Sequence, residues 1–383
     1  MTNGHSGGIT VHGTVAEGYE GVREEFRAVL AEEHNEPGSQ LAVYKDGEPV
    51  VDLWAGDGVE GDSLPAVYSC TKGAAHLVVA LLVQDGTLEL DRTVASYWPE
   101  FAAEGKDRLT LRELMGHRAG LIGVKEGFTA EELADDRVLA ARLAGRAPFW
   151  EPGAAYGYHA LVIGALTGEV VLRATGRTLQ ELFEERVRAP YGLDVFLGQP
   201  AGLEPRFLPV RPLNPTPAQA AEMAARPADP ESLRAVSFHA HLDLTEWINR
   251  PAVRALGQAS AGAVASARGL AGMYAATLGE FAGLPALLKP ETRAEFARPG
   301  LTGTDLVTEQ TDHFGLGFER PSEDHPELGT DAYGHCGAAG AQAFADPASG
   351  IAYGYTRRRH TYPGGSAPEN VRLVRAVVDA ARA

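Results

Sequence analysis

Tyr68-Ser69-Cys70-Thr71-Lys72-Gly73-Ala74-Ala75-His76-Leu77-Val78-Val79-Ala80-Leu81-Leu82 is the stretch on which the reading of this chain turns. From Gly73 onward it is apolar on nearly every face, which predicts a buried central helix over Gly73–Asp85. Ser69 stands at its start, where free backbone N–H groups and the positive end of the helix dipole favour a developing anion. Residues three apart share a helix face, so Lys72 falls beside the Ser69 hydroxyl. A serine hydroxyl is a poor nucleophile without a neighbour to take its proton. A lysine can be that neighbour when burial or a nearby cation disfavours its charged form. The plainer reading makes Ser69 an N-cap and Lys72 a surface residue. Two facts weigh against it: this is the only S-x-x-K in the chain, and Lys occurs only at 45, 72, 106, 125 and 289, Arg supplying the other cations.

Upstream, Val22, Phe26, Val29 and Leu30 recur at helical spacing and predict an amphipathic helix from Val15 to about His34, with residues 1–14 a loose tail. Gln40–Tyr44 and Pro49–Trp54 are short apolar runs joined across Lys45-Asp46-Gly47-Glu48, a hairpin signal. Downstream, Leu111–Met115, Glu131–Leu143, His159–Ala174, Leu179–Arg188 and Gly262–Leu278 read as helices. The Pro-rich residues 198–235 read as a long surface excursion. His313–Glu319, Ala341–Asp346 and Ile351–Arg357 read as strands and Pro368–Ala383 as a closing helix. Strands near both ends with helices between them imply an α/β (α+β) architecture: an antiparallel sheet flanked by terminal helices, plus an inserted all-helical region. The expected division is a sheet domain from residues 1–60 and 305–383 and a mainly helical domain over 61–304, with a cleft between them.

Composition narrows the class. The chain has 383 residues, 44% of them hydrophobic, enough for about two cores. A net charge of −17 repels phosphate backbones and anionic lipid, so neither nucleic acid nor a membrane is an expected partner. Two cysteines, Cys70 and Cys336, make no disulfide framework. No secretory signal is legible in Met1–Thr10, and a cytoplasmic protein with free thiols is the simplest reading.

S-x-x-K is a signature of serine β-lactamases and penicillin-binding proteins. Around it, Ser69-Cys70-Thr71-Lys72-Gly73, Leu90-Asp91, Tyr97-Trp98-Pro99 and Leu111-Arg112-Glu113-Leu114-Met115-Gly116-His117-Arg118-Ala119-Gly120-Leu121 resemble the class C β-lactamase superfamily, with family VIII carboxylesterases the nearest branch. The resemblance continues, in order, through Trp150-Glu151-Pro152-Gly153, Gly157-Tyr158-His159-Ala160, Ser266–Ala271, Phe314–Phe318 and Tyr333–Ala338 to Asp346-Pro347. It implies the β-lactamase/penicillin-binding-protein-like transpeptidase fold and a serine hydrolase with no metal or organic cofactor.

It also implies a catalytic tyrosine six residues after the Pro of a Pro-Gly turn. Counted from Pro152 this is Tyr158, with Tyr156 the local competitor. The phenol would exchange a proton with Ser69, its anion favoured by the Lys72 ammonium. The family's Asn, which holds an amide substrate, is replaced by Ala160. His159 either substitutes for it or packs at the start of the next helix, the preferred reading. Where the family has Lys-Thr-Gly on an edge strand, this chain has His335-Cys336-Gly337. The resemblance places His335 in the cleft as a hydrogen-bond or charge partner near Tyr158, with strand alternation sending Cys336 to the other face. Gly337 would let substrate approach the backbone, and the N–H groups of Ser69 and Ala338 would form an oxyanion hole.

Other motifs carry less. Gly4-His5-Ser6-Gly7-Gly8 matches G-x-S-x-G but lacks the strand and helix that motif needs. His239 and His241 read as part of a solvated loop, His76 as a satisfied buried histidine, His117 as structural, and Glu131-Glu132 with Asp135-Asp136 as a solvated helix face. The expected activity is a carboxylesterase acting on small acyl esters. The alternatives are an acyltransferase that intercepts the same acyl-enzyme with an alcohol or amine, a β-lactamase or D-amino-peptide hydrolase, and a binding module that has lost turnover. Oligomeric state is not legible.

Overall fold

The computed structural model describes residues 9–33, 36–225, 229–300, 302–311 and 313–383. The Gly4–Gly8 motif with Ser6 lies outside them. Asp46 and Gly47 both take positive φ (51° and 86°), the backbone that a two-residue hairpin turn requires. They join β2 (Gly38–Lys45) to β3 (Glu48–Gly56), paired from Lys45↔Glu48 to Gly38↔Gly56. With β1 (His12–Val15), β4 (Tyr333–Cys336), β5 (Gln342–Asp346) and β6 (Ile351–Arg357), they make a six-stranded antiparallel sheet of order β1-β3-β2-β6-β5-β4. The chain's two ends thus meet at the β2–β6 pairing, as expected.

Several sequence expectations change. His12–Val15 is an edge strand on β3, not a loose tail, and the first helix, α1, starts only at Glu20 (Glu20–Glu32). The segment Glu131–Leu143 is two helices, Ala130–Ala134 and Asp136–Ala144, because Asp135 is extended (φ −112°, ψ 106°) and its side chain caps the second at Arg137 and Val138. His313–Glu319 is not a continuous strand. Its alternating Phe314, Leu316 and Phe318 mimic period two, but Gly317 takes φ +81° and the segment folds back, bridging Phe314 to Glu319.

One sheet face is covered by α1 and the closing helix α5 (Glu369–Arg382), which bury Val22, Phe26, Val29 and Leu30 and Leu373, Val374, Val377 and Val378 against Leu41, Val43, Leu53, Tyr353 and Tyr355. The other face takes α4 (Ala267–Leu278). That helix comes very close at Gly354, where a Cβ would lie 2.3 Å from the Ala267 carbonyl oxygen. Gly354→Ala is therefore expected to destabilise the fold by about 1–3 kcal/mol through overpacking against backbone, read as a lower denaturant midpoint.

The helix α2 (Cys70–Gln84) buries every residue from Cys70 to Leu82, Lys72 and His76 included. Another helix, α3 (Ile163–Thr175), packs on it. The Pro-rich excursion carries a helix, Pro217–Ala225, with no buried residue. Among the described residues no helix is long and apolar enough to cross a membrane.

Candidate active site

Ser69 occupies the N-cap position of α2 but makes no capping hydrogen bond. Its hydroxyl is instead held by two other side chains. The Lys72 Nζ lies 3.0 Å from Ser69 Oγ, and the Tyr158 hydroxyl donates to the same oxygen at 2.8 Å. Lys72 is fully buried, so the surface reading of this residue fails. Its Nζ also donates to the carbonyl oxygens of Ala160 (2.6 Å) and Ser260 (2.8 Å) and stands 4.8 Å from the centre of the Tyr158 ring. Burial brings the Lys72 pKa down to about 7, against the opposing pull of Glu319. Immediately before Ser69, Tyr68 takes φ +45°, a costly conformation for a non-glycine residue. Its hydroxyl is anchored by the Leu244 carbonyl (3.3 Å) and His360 Nε2 (3.0 Å).

Tyr158 is held from several directions. Its ring stacks on Phe314 (centroids 5.1 Å apart, planes 18°) and meets His117 edge-on. Its backbone N–H donates to Asp305 Oδ1 at 3.2 Å. Ser237 Oγ donates to its carbonyl at 2.5 Å and accepts from the Ala160 N–H at 3.0 Å. Burial, with Glu319 adding to it, pushes the phenol pKa well up. That reverses the expectation that its anion would be favoured; this tyrosine stays protonated. Tyr156 turns elsewhere, donating to the Gly303 carbonyl at 2.5 Å. His159 is buried and packs. Its Nδ1 pairs with the Gly157 carbonyl, its N–H donates to His117 Nδ1, and its ring meets Trp150.

His335 is buried near Tyr158, with ring centroids 6.1 Å apart, but the two side chains do not hydrogen-bond. Its Nδ1 faces the Cys336 carbonyl (2.9 Å) and Glu319 Oε1 (3.1 Å). Both are acceptors, so Nδ1 carries the proton. Burial and then Lys72 hold its pKa well below the ordinary value, so the ring is neutral, not a charge partner. Strand alternation does not separate it from Cys336 as expected. Glu319 runs beside β4, bridged to Gly334, and takes the Cys336 N–H (2.6 Å) and thiol (3.3 Å) as well. Gly337 serves a different close approach from the one expected: a Cβ there would lie 2.2 Å from the Val67 carbonyl oxygen. It lets β4 run on against the segment that leads to Ser69. Among the described residues, neither the Ser69 nor the Ala338 backbone N–H has a protein acceptor.

Glu319, Ser237, Ser260 and Phe314 are site neighbours that the sequence reading did not single out. Only Phe314 and Glu319 have a signal, being the start of the Phe-Gly-Leu-Gly-Phe run and the acid that directly follows it. The decoys fall outside the constellation. His76 Nδ1 is bonded to the Gly317 carbonyl, and burial brings its pKa to about 4. His239 is not solvated; it is buried on Phe128, with Nε2 2.7 Å from the Phe128 carbonyl oxygen. Asp136 is no solvated face either. Its Oδ2 accepts from the Ala259 N–H and Gln180 Nε2, both at 2.9 Å, and burial raises its pKa to about 6. The bond to Ala259 braces the loop whose next carbonyl, that of Ser260, receives Lys72.

A model of the Beta-lactamase family matches residues 22–376. The chain belongs to that family. EstA from Arthrobacter nitroguajacolicus Rue61a has a structure similar at a TM-score of 0.89 and 40% identity, over 96% of this chain and 98% of that one. A family VIII carboxylesterase gives 0.84 and 32%, over 97% and 100%. The esterase/beta-lactamase LipL of Mycobacterium tuberculosis is 31% identical over 352 residues, 85% of this chain and 78% of LipL. The β-lactamase/penicillin-binding-protein-like fold and its family VIII affinity are thus as the motifs implied. The chain is a β-lactamase-like serine hydrolase of the carboxylesterase type.

Proposed function

We propose that the chain cleaves small acyl esters through an acyl-enzyme on Ser69, with Lys72 and Tyr158 moving the proton. The observation that carries this reading is the bonding arithmetic at Lys72. A neutral amine has two N–H groups and one lone pair. The Ala160 and Ser260 carbonyls can only accept, so they take both hydrogens, and the lone pair is left for the Ser69 hydroxyl 3.0 Å away. A pKa of about 7 keeps much of the amine neutral at physiological pH.

As Ser69 Oγ attacks the ester carbonyl, its proton passes to Lys72, and the new ammonium has three acceptors already in place. The carbonyl oxygen becomes an oxyanion facing the Ser69 and Ala338 N–H groups. Collapse expels the alkoxide, which takes the proton of the neutral Tyr158, and the phenol regains one from Lys72. Water then enters along the same route in reverse, releasing the acid and restoring Ser69. His335 supports this as a neutral neighbour oriented by Glu319.

Two departures favour esters over β-lactams. Ala160 offers no amide to grip an amide side chain, and a neutral His335 offers no fixed cation for a substrate carboxylate. The test is hydrolysis of short-chain p-nitrophenyl esters and a chromogenic cephalosporin by the native chain and Ser69→Ala. Ester turnover should exceed cephalosporin turnover and both should vanish in the variant. Faster cephalosporin turnover would overturn the substrate assignment. Survival of either in Ser69→Ala would overturn the nucleophile.

A further inference from the structure

Glu319, His335 and Cys336 bring a carboxylate oxygen, an imidazole nitrogen and a thiol sulfur to within 4.8 Å of one another. His313 adds a second imidazole, its Nε2 3.9 Å from Glu319 Oε2. The cluster at the β4 edge is not legible in the sequence, because Glu319 joins it only through the fold-back after Gly317.

The spacing decides what such a cluster can hold. Zinc bonds of about 2.0–2.3 Å in a tetrahedron put neighbouring ligand atoms roughly 3.3–3.8 Å apart. Glu319 Oε1 lies 3.1 Å from His335 Nδ1 and 3.3 Å from Cys336 Sγ, while its other oxygen, Oε2, lies 3.9 Å from His313 Nε2. The donor set of one sulfur, two nitrogens and one oxygen suits zinc and its thiophilic neighbours, not magnesium or calcium, which take oxygen ligands. All four residues are largely shielded, so the ligands are held by packing and not by chance on a mobile surface.

We infer that Glu319, His335, Cys336 and His313 form a binding site for one thiophilic divalent cation of the zinc class, beside the Ser69 constellation. Binding displaces the Cys336 thiol proton to solvent as the S–metal bond forms. The neutral His335 ring keeps its single proton but moves it from Nδ1, now a ligand, to Nε2. The thiolate and the carboxylate together cancel the charge of the ion. Any effect on turnover rests on the catalytic reading above: Lys72 loses the counter-charge of Glu319, and His335 turns from an acceptor at Nε2 into a donor.

The test measures binding, not turnover, so a failed hydrolysis assay leaves it readable. The reduced native chain is titrated with Co2+. A thiolate-to-metal charge-transfer band saturating at one ion per chain is expected, lost in Cys336→Ser and needing at least about tenfold more metal in His313→Ala. Because Cys336→Ser could unfold, alkylation of the native chain by iodoacetamide is followed by mass spectrometry with and without Zn2+. Zinc should slow labelling of Cys336 about tenfold or more. Absence of the band in the native chain, a band that survives in Cys336→Ser, or labelling of Cys336 indifferent to zinc would each overturn the site and leave the cluster a hydrogen-bond network alone.

Discussion

Lys72→Met is expected to lower kcat/KM on p-nitrophenyl esters by about 100- to 10,000-fold, the usual contribution of a positioned general base. Methionine has similar length and fits an apolar setting, so the variant removes the lone pair without opening a large void. It does leave the Ala160 and Ser260 carbonyls without their donor, which costs on the order of 1–3 kcal/mol for buried acceptors. Against this stands relief from burying an ionisable amine, since the low pKa means that burial disfavours its charge. The two effects oppose each other, so a folded variant is expected, checked by its melting transition. Lys72→Arg should be as inactive. A guanidinium stays protonated and has no lone pair to offer. An arginine variant with near-native turnover would mean that Lys72 acts only as a charge.

Tyr158→Phe is the second large effect, and its size should depend on the leaving group. The phenol is kept neutral by burial and already donates to Ser69 Oγ. In the proposed mechanism it supplies the proton that the departing alkoxide needs. An alkyl alkoxide is a strong base and needs it; p-nitrophenoxide does not. The variant should therefore lose about 100- to 10,000-fold on an alkyl ester and distinctly less on the p-nitrophenyl ester of the same acid. Equal losses on both would place the tyrosine in positioning Ser69 and not in protonating the leaving group. The ring itself is retained in phenylalanine, so stacking on Phe314 and the contact with His117 persist.

The parts of this site that could be read from sequence are those fixed by local geometry. Ser69 and Lys72 meet because one helical turn brings them together, and the apolar run behind them announces burial. Tyr158 is legible only through the family resemblance, which places a tyrosine six residues after Pro152. What sequence could not show is the set of groups that tune them. Ser260 and Ala160 act through backbone carbonyls, which leave no mark on residue identity. Ser237 follows directly on the Pro-rich excursion, with nothing to distinguish its hydroxyl from any surface serine. Glu319 sits at the end of a stretch whose alternating aromatics resemble a strand, and only the positive φ at Gly317 reveals the fold-back that brings it to His335. The strand at His12–Val15 is not legible for a related reason. His-Gly-Thr-Val lacks apolar alternation, and its structure comes from pairing with β3, a non-local contact. The state of the phenol also differs from the sequence expectation, because proximity to an ammonium favours the anion while burial, which sequence conveys poorly, disfavours it and prevails.

Catalysis as proposed depends on a lysine that is uncharged when it faces the serine. The most direct measurement is the rate at which a fluorophosphonate labels Ser69 as a function of pH in the native chain, with Lys72→Met as control. The rate should rise with pH through a single step near 7, the pKa at which the buried amine gives up its proton, and the control should label slowly with that step gone. A step that remains in Lys72→Met, or a native rate unchanged across that range, would contradict it.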